Sequence, residues 1–261
     1  MTDEFCNKVI IVTGASSGIG KEITLSLLQK GAMIVACSRD GNRLRRVLTS
    51  TSVRNGDLLC IPCDVSRSDD VKKLISNSMQ RFGKIDCLVN NAGQFPSTPF
   101  LDLSEQEWDQ VIDTNLKGSF LCSRAVAKTM IAKDVKGKIV NISSTASLIA
   151  RPGIAHYAAS KAGLNMLTKV LAIELAPYGI RVNAVLPGVI ATEGVHSQLK
   201  DDASKVEHQA KLRRIPAGHE GIPRDISNAV LYLISESSNY STGALFVVDG
   251  GYSLGIPEYR L

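Results

Sequence analysis

The residues best suited to acid–base chemistry in this sequence are a tyrosine and a lysine four positions apart, Tyr157 and Lys161. The segment 155–176 has a helical pattern, so both side chains are expected on one face, one turn apart. A cation beside a phenol favours the phenolate, and tyrosine ordinarily ionises near pH ~10. We therefore expect Lys161 to bring Tyr157 toward working pH as a general acid or base. The spacing also arises by chance, so an exposed tyrosine and lysine is the alternative.

Two other polar residues lie close to this pair. Ser144 offers a hydroxyl that can polarise the carbonyl or alcohol oxygen receiving the proton. Its neighbour Ser143 would point to the opposite side at the end of a strand. His156 precedes Tyr157 on the predicted helix and points about 100° away from it. We interpret His156 as a packing or pocket-wall residue.

A glycine-rich turn near the start of the chain predicts a nucleotide site. Gly14, Gly18 and Gly20 follow a short β-branched run at 8–13 and precede helical spacing through Ile23 and Leu27. Glycines permit a tight turn and close backbone approach, and the amides of a helix N-terminus attract a pyrophosphate. A strand, turn, helix and second strand within about thirty residues is typical of a dinucleotide-binding fold.

The end of the second predicted strand, Cys37-Ser38-Arg39-Asp40, indicates which dinucleotide is preferred. An NAD site usually places an acidic residue there, against the ribose hydroxyls. Ser38 and Arg39 instead suit a 2′-phosphate, because they supply a hydroxyl donor and a guanidinium that forms paired hydrogen bonds. Asp40 comes too late for the ribose role and is interpreted as a helix N-cap. The sequence favours NADP(H), with NAD(H) also possible.

Strand-like and helical segments alternate along the whole chain. Ser66 with Asp69, and Ser104 with Glu107, have the spacing of helix caps; the second pair would begin a long helix over 105–133. Seven strands and six helices predict an α/β fold, a single Rossmann-like domain over 1–261 with a doubly wound parallel sheet. The polar stretch 189–223 leaves the carboxyl end of a strand, where ligands bind in such sheets, which favours a substrate lid over a surface helical excursion.

Composition excludes several classes of function. The net charge is +5 and the basic residues are scattered, so no basic patch for binding nucleic acid is expected. No apolar segment approaches membrane-spanning length. Six scattered cysteines without an export signal are expected to be reduced in a cytoplasmic protein. Cys60 and Cys63 lack a second ligand pair and would face opposite sides of a strand, so we expect no metal site.

Several motifs occur in the same order and at the same spacing as in a known family. They are T-G-A-S-S-G-I-G from Thr13 to Gly20, N-N-A-G from Asn90 to Gly93, Asn115, Ser144, Y-A-A-S-K from Tyr157 to Lys161, and Pro187-Gly188. Over essentially its whole length the chain resembles the short-chain dehydrogenase/reductase family. Ser144, rather than Ser143, stands thirteen residues before the tyrosine, as in that family.

The resemblance implies a role for each matching residue. The catalytic set would be Asn115, Ser144, Tyr157 and Lys161, with Lys161 also on the nicotinamide ribose and Asn115 holding a water that relays protons to it. Asp64 and Val65 would contact the adenine. The full set implied to bind the cofactor is Gly14, Ser16, Ser17, Gly18, Ile19, Gly20, Ser38, Arg39, Asp64, Val65, Asn91, Ala92, Gly93, Tyr157, Lys161, Pro187, Gly188, Val189 and Thr192. Many NADP-preferring members carry a basic residue where this chain has Ser17, which leaves Arg39 and Ser38 as the phosphate contacts.

These observations predict an NADP(H)-dependent oxidoreductase that interconverts a carbonyl and a secondary alcohol, with Tyr157 exchanging the hydroxyl proton. The alternatives are a 3-oxoacyl-thioester reductase, a sugar dehydrogenase, and a catalytically silent nucleotide-binding scaffold. A small-molecule substrate is expected, and the family resemblance implies a homotetramer built through the two long helices. The candidate pocket residues, besides Ser144, are Gln94, Phe95, Ala146, Ile154, Val189, Val195 and His196.

Overall fold

The parallel sheet at the centre of the molecule has seven strands. The computed structural model describes residues 4–49, 57–197 and 201–255, and all of the elements below lie within them. The strands are β1 (Val9–Thr13), β2 (Met33–Ser38), β3 (Leu58–Pro62), β4 (Cys87–Asn90), β5 (Lys138–Ile142), β6 (Arg181–Pro187) and β7 (Leu245–Val248). Their order is β3-β2-β1-β4-β5-β6-β7, with every pairing parallel. The predicted doubly wound α/β fold is confirmed.

Helices cover both faces of this sheet. They are α1 (Gly18–Gln29), α2 (Gly41–Thr49), α3 (Ser68–Phe82), α4 (Glu105–Ile112), α5 (Gly118–Ala132), α6 (Ala155–Leu175), α7 (Glu193–His196), α8 (Asp202–Arg213) and α9 (Pro223–Ile234). Two further helices, α7 and α8, fall within the stretch 189–223. The six helices expected from the alternating pattern correspond to α1, α2, α3, the α4–α5 pair, α6 and α9.

Alternation along the strands divides the core into two layers. On one face Ile10, Val12 and Ile34 pack with residues of α1 and α9. On the other face Val9, Ile11 and Val35 pack with residues of α3 and α5. Successive strand residues point to opposite faces, and a parallel sheet covered on both sides needs apolar residues at nearly every position. This requirement explains the continuous β-branched runs in the sequence.

The strand order reverses at the centre of the sheet, where β1 lies between β2 and β4. Connections from neighbouring strands diverge at such a point, and a crevice opens beyond their carboxyl ends. The glycine turn after β1 and the N-N-A-G segment after β4 both lie at this crevice. The fold therefore brings together motifs that are about 75 residues apart in the sequence.

Two local predictions need correction. Ser66 does not cap α3: the N-cap is Arg67, and the Asp64 carboxylate accepts hydrogen bonds from both the backbone amide and the hydroxyl of Ser66. Ser104 does cap its helix, accepting from the Glu107 amide at 3.2 Å. That helix, however, does not run unbroken over 105–133. A π-helical turn, Asp113–Lys117, separates α4 from α5 and carries Asn115.

Candidate active site

Tyr157 lies in the first turn of α6 and Ser144 at the end of β5, so their backbones come from different elements. The Ser144 hydroxyl acts on the Tyr157 phenol and lowers its pKa. Ser144 also caps the short 3₁₀ turn Thr145–Ser147, its Oγ accepting from the Ala146 amide at 3.1 Å. Ser143 instead donates to the backbone carbonyl of Lys161 at 3.2 Å. The two serines point to opposite sides, as expected, and only Ser144 reaches the tyrosine.

Lys161 is buried on the same face of α6, one turn after the tyrosine. Its Nζ lies 5.8 Å from the centroid of the Tyr157 ring and donates to the backbone carbonyl of Ile142 at 2.7 Å. Burial lowers the pKa of Lys161 to about 8. The predicted one-turn relation between tyrosine and lysine is confirmed, and the exposed alternative is wrong.

The pKa of Tyr157 differs from the sequence expectation. Burial raises it above the ordinary value, while the Ser144 hydrogen bond and the positive charge of Arg151 act in the opposite direction. Lys161 is not among these causes, because its ammonium group is directed to a backbone carbonyl and is itself disfavoured by burial. In this structure Tyr157 therefore keeps its proton through neutral pH.

Asn115 connects three parts of the site through its side-chain amide. Its Oδ1 accepts from the Gln94 amide at 2.8 Å, and its Nδ2 donates to the Gln94 carbonyl at 2.9 Å. The same Nδ2 donates to Ser160 Oγ at 3.0 Å, and Ser160 Oγ donates to the Tyr157 carbonyl at 2.7 Å. Asn115 thus fixes the chain after β4 against the first turn of α6. π-helical turns are frequent at functional positions, as here.

The glycine turn and the N-N-A-G segment interlock. Thr13 Oγ1 accepts from the amides of Asn91 and Ala92, each at 3.0 Å. Asn91 Nδ2 donates back to the carbonyls of Thr13 and Gly14. A Cβ built on Gly20 would lie 2.3 Å from Asn91 Nδ2, so only glycine fits there. No side chain caps the first backbone amides of α1, so these amides remain available at the crevice.

At the end of β2, Arg39 is exposed and Asp40 caps α2, as predicted. Asp40 Oδ1 accepts from the amides of Asn42 and Arg43 at 3.0 and 2.9 Å. Ser38 Oγ donates to the Asp40 carbonyl at 2.9 Å, so its proton is already engaged. A cavity of about 590 Å³ lies beside these residues, with Arg39, Asp64 and Thr114 in its wall.

The segment after β6 contacts the glycine turn and Phe95. Thr192 caps α7, accepting from the Val195 amide, and its methyl group lies 3.3 Å from a Cβ built on Gly18. In α7 a Cβ built on Gly194 would lie 3.1 Å from the Phe95 ring, which meets the Tyr157 ring edge-on at a centroid distance of 6.4 Å. The segment is tied down by the Glu193–Arg43 ion pair at 3.1 Å. It therefore lies against the glycine turn and against the aromatic ring that contacts the tyrosine.

The candidate pocket residues divide into two groups. Phe95, Ala146, Val189 and Val195 are partly or fully accessible, and Phe95 meets the Tyr157 ring. Ile154 is almost completely buried, and the Gln94 side chain donates to Thr114 Oγ1 at 2.8 Å, on the side of α4. The side chain of His196 lies outside the described part of the chain.

His156 is a buried residue, as interpreted from its helical position. It has no solvent exposure, and its Nε2 lies 3.4 Å from Glu107 Oε1 across the α4–α6 contact. Cys60 and Cys63 pack into different core layers, and the six cysteines of the chain are all free thiols. Three contributors were missed at the sequence level: Thr13, Ser160 and Arg151. The first two are ordinary hydroxyl residues in sequence, and only their partners reveal them.

The comparisons with known proteins agree with this geometry. A family model described as enoyl-(acyl carrier protein) reductase matches residues 14–253. The chain belongs to the short-chain dehydrogenase/reductase family. Members of this family are oxidoreductases that act on CH–OH and C=O groups with a nicotinamide dinucleotide, so the class of reaction follows.

The names of proteins related to this short-chain dehydrogenase/reductase refer to different substrates. The 3-oxoacyl-(acyl-carrier-protein) reductase of Thermotoga maritima is 38% identical over 94% of this chain and 97% of its own length. Glucose 1-dehydrogenase 2 of Bacillus subtilis is 35% identical over 97% of this chain and 98% of its own. The crystal structure of a short-chain dehydrogenase/reductase from Mycobacterium marinum superposes with a TM-score of 0.89 at 35% identity, covering 96% and 97% of the two chains.

The residues present fit a dinucleotide. A Cβ on Gly14 would lie 2.8 Å from the Ala92 backbone, and one on Gly93 would lie 3.7 Å from Lys161 Nζ, so side chains would fill the crevice at both positions. The open amides of α1 suit a pyrophosphate, and the 590 Å³ cavity beyond β2 and β3 has room for an adenine. In the described part of the chain, no helix has the length and apolarity needed to span a membrane.

Proposed function

We propose that this short-chain dehydrogenase/reductase is an NADP(H)-dependent enzyme that interconverts a ketone or aldehyde and a secondary alcohol, with Tyr157 as the general acid/base. The observation that carries the proposal is that Lys161 lies buried one turn behind Tyr157, its Nζ 5.8 Å from the ring centroid, while Ser144 acts on the same phenol and lowers its pKa. These three side chains converge at the crevice where the glycine turn and the N-N-A-G segment meet. This arrangement supports roles as an acid for Tyr157, a carbonyl-polarising hydroxyl for Ser144 and a cation for Lys161.

The residues proposed to hold the cofactor follow the crevice from end to end. The pyrophosphate would be bound by the amides at Gly18, Ile19 and Gly20, with Ser16 and Ser17. The adenine would be bound by Asp64 and Val65, and the adenosine ribose by Asn91 to Gly93. The nicotinamide end would be bound by Lys161, Pro187, Gly188, Val189 and Thr192. When bound, the cofactor supplies or accepts the hydride at the reacting carbon. The protein's part is to position this carbon and to exchange a proton with its oxygen.

Proton transfer is assigned to Tyr157. Its raised pKa keeps the phenol protonated at neutral pH, so it is ready to donate when a carbonyl is reduced. Ser144 donates to the same substrate oxygen and stabilises the charge that develops on it. In the reverse direction the interaction with Ser144 favours tyrosinate formation, and Lys161 is assigned to the nicotinamide ribose. A relay water at Asn115 would use the backbone carbonyl, because the side-chain amide is occupied by Gln94 and Ser160.

The preference for NADP over NAD is proposed to depend mainly on Arg39. Ser38 donates its proton to the Asp40 carbonyl, so it contributes less than its hydroxyl suggests. Arg39 is exposed at the wall of the cavity beyond β2, where a 2′-phosphate would meet its guanidinium. The absence of a basic residue at Ser17 leaves use of NAD(H) open.

The organisation of the chain is proposed to be one catalytic domain over residues 1–261, with the stretch 189–223 as a substrate lid. The packing of Gly194 against Phe95 and the bridge between Ile190 and Gly221, which closes the base of this stretch, support the lid. A cytoplasmic homotetramer acting on a small molecule, without nucleic acid or membrane, completes the proposal.

A 3-oxoacyl thioester and a sugar are the alternative substrates. The names of the relatives from Thermotoga maritima and Bacillus subtilis support one each. Both reactions would use the same four catalytic residues. The choice therefore depends on the pocket, not on the acid–base group.

The direct test is Tyr157→Phe, which removes one oxygen and keeps the ring against Phe95. Turnover of carbonyl substrates with NADPH should fall by on the order of 10²–10⁴-fold, while the dissociation constant for NADPH, read by nucleotide fluorescence, stays within about threefold. Tyr178→Phe, the same change on an exposed tyrosine, is the control. If Tyr157→Phe retains wild-type turnover, the acid has been assigned wrongly.

A further inference from the structure

The short turn that follows Ser144 is tied to α6 by a buried amide. Asn165 lies on α6 one turn after Lys161 and is 7% exposed. Its Nδ2 donates to Ser147 Oγ at 2.7 Å. Ser147 in turn donates twice to the Ser144 carbonyl, from its hydroxyl at 2.5 Å and from its amide at 3.0 Å. A chain of hydrogen bonds therefore runs from the helix that carries Tyr157 to the backbone of Ser144.

A second set of bonds ties the residues just before Ser144 to the same helix. Lys161 Nζ donates to the Ile142 carbonyl at 2.7 Å, and Ser143 Oγ donates to the Lys161 carbonyl at 3.2 Å. Lys161 and Asn165 are four residues apart, so their side chains share one face of the helix. Ser144 is thus held to α6 from both sides, through Lys161 before it and through Asn165 after it.

Packing alone does not explain the amide of Asn165. Its Oδ1 is buried and accepts no hydrogen bond from the residues that the structure describes, which lowers stability because its hydration is lost without compensation. The turn after β5 also has other bonds that keep it folded. Thr145 Oγ1 donates to the Pro187 carbonyl on β6 at 3.3 Å. Ser144 Oγ accepts from the Ala146 amide at 3.1 Å. What Asn165 adds is the link between this turn and α6.

We propose that Asn165 is a positioning residue, which acts through Ser147 to set the place of the Ser144 hydroxyl relative to Tyr157. The inference rests on the proposed function, in which both hydroxyls meet the same substrate oxygen. Two donors can share one oxygen only where the distance between them is fixed, and a displacement of about 1 Å can lower a rate by about 10²-fold. Asn165 itself touches neither substrate nor cofactor in this scheme. Its removal should therefore change kcat and leave binding intact.

The test is a double-mutant cycle between Asn165→Ala and Ser144→Ala, with NADPH as cofactor and ethyl acetoacetate as the test ketone. Asn165→Ala should lower kcat roughly five- to twentyfold and leave KM and the NADPH dissociation constant within about twofold. In the Ser144→Ala background the same change should alter kcat by less than about twofold, because the hydroxyl that it positions is gone. Equal losses in the two backgrounds, or no loss when Ser144 is present, would overturn the role of Asn165.

Three further variants isolate the link. Ser147→Ala removes it from the other end and should lower kcat as Asn165→Ala does. Ser147→Thr keeps the hydroxyl and should retain most of the wild-type kcat. Asn183→Ala removes another buried amide, whose two hydrogen bonds go to the segment 241–244 before β7. Any loss of kcat in this control should be the same with and without the Ser144 hydroxyl.

Amide hydrogen exchange reads the link without turnover. In Asn165→Ala the amides of residues 146–148 should exchange several times faster than in wild type, while those of β5 stay protected. Unchanged exchange at 146–148 overturns the inference, whatever the activity. Failure of the proposed function has a different signature, which is full turnover in Tyr157→Phe. Loss of turnover in Tyr157→Phe and in Ser144→Ala, with none in Asn165→Ala, overturns only the role of Asn165.

Discussion

Lys161 carries a conflict between burial and charge. Its side chain is almost fully inside the protein, and burial lowers its pKa from the ordinary 10.5 to about 8. The hydrogen bond from Nζ to the Ile142 carbonyl satisfies one of its three donors. A Cβ built on Gly93 would lie 3.7 Å from the same Nζ. Keeping a cation at this place is costly to the fold, and we attribute the cost to function.

This conflict predicts how stability depends on pH. Between pH 8 and 10.5 the unfolded chain holds the lysine proton more tightly than the folded chain, so the free energy of unfolding rises with pH in that window. Relative to Lys161→Met, which cannot titrate, wild type should gain about 2 kcal/mol between pH 7 and 10. Urea denaturation of both proteins at the two pH values measures the difference. Equal changes in the two proteins would show that Lys161 keeps an ordinary pKa.

At the scale of single residues, the sequence predicted which side chains form the candidate site but not their pKa values. The relation of Tyr157 to Lys161 and the choice of Ser144 over Ser143 follow from helical and strand periodicity, and the structure confirms both. The pKa of Tyr157 was expected to fall and is raised, because burial is set by the packing of the whole chain. The effect of Arg151 on the pKa of Tyr157 was missed because nothing in the sequence context of this arginine shows it.

At the scale of elements, periodicity predicted the strands and most helices. The helix caps and the interruption of the long helix depend instead on hydrogen bonds between neighbouring residues. Ser66 has the spacing of a cap, but the Asp64 carboxylate binds its amide and hydroxyl first. The π-helical turn at Asp113–Lys117 adds one residue to a turn, which hardly disturbs an apolar pattern of period 3.6. It turns Asn115 toward Gln94 and Ser160. The element that positions a proposed catalytic residue is thus the one the pattern did not reveal.

The turn between β2 and α2 is expected to decide cofactor preference. Asp40 is used as a helix cap and Ser38 donates to it, so Arg39 is the residue of this turn left to meet a 2′-phosphate. Arg39→Asp should lower kcat/KM for NADPH by at least tenfold and lower it far less for NADH, because a carboxylate repels the phosphate and accepts from the ribose hydroxyls. Steady-state kinetics with both cofactors give the ratio.

The control for this turn is Arg46→Asp, which places the same charge change later on α2. It should leave the ratio of NADPH to NADH efficiency within about twofold. An unchanged ratio in Arg39→Asp would overturn the 2′-phosphate proposal while leaving the oxidoreductase assignment intact.

At the scale of the whole molecule, a stripe of apolar residues on α6 is left uncovered in the single chain. Met166, Val170 and Ile173 are 60%, 41% and 76% exposed, and their spacing places them on one face of the helix. On α5, Phe120 and Ile131 are also partly exposed. The opposite end of α6 carries Tyr157 and Lys161. A homotetramer built through these helices would cover the stripe and steady the helix that bears the proposed acid.

Light scattering coupled to size-exclusion chromatography tests this assembly. Wild type should elute with four times the chain mass, and Ile173→Glu combined with Val170→Glu should reduce the mass to half or less, because buried carboxylates would face each other across a symmetric interface. Val206→Glu, which places a carboxylate at an exposed apolar position on α8, should leave the mass unchanged. Dissociation should also lower kcat, since the first turn of α6 would lose the support of its partner. A wild-type monomer, or a double variant that stays tetrameric, would show that the stripe on α6 is not the interface.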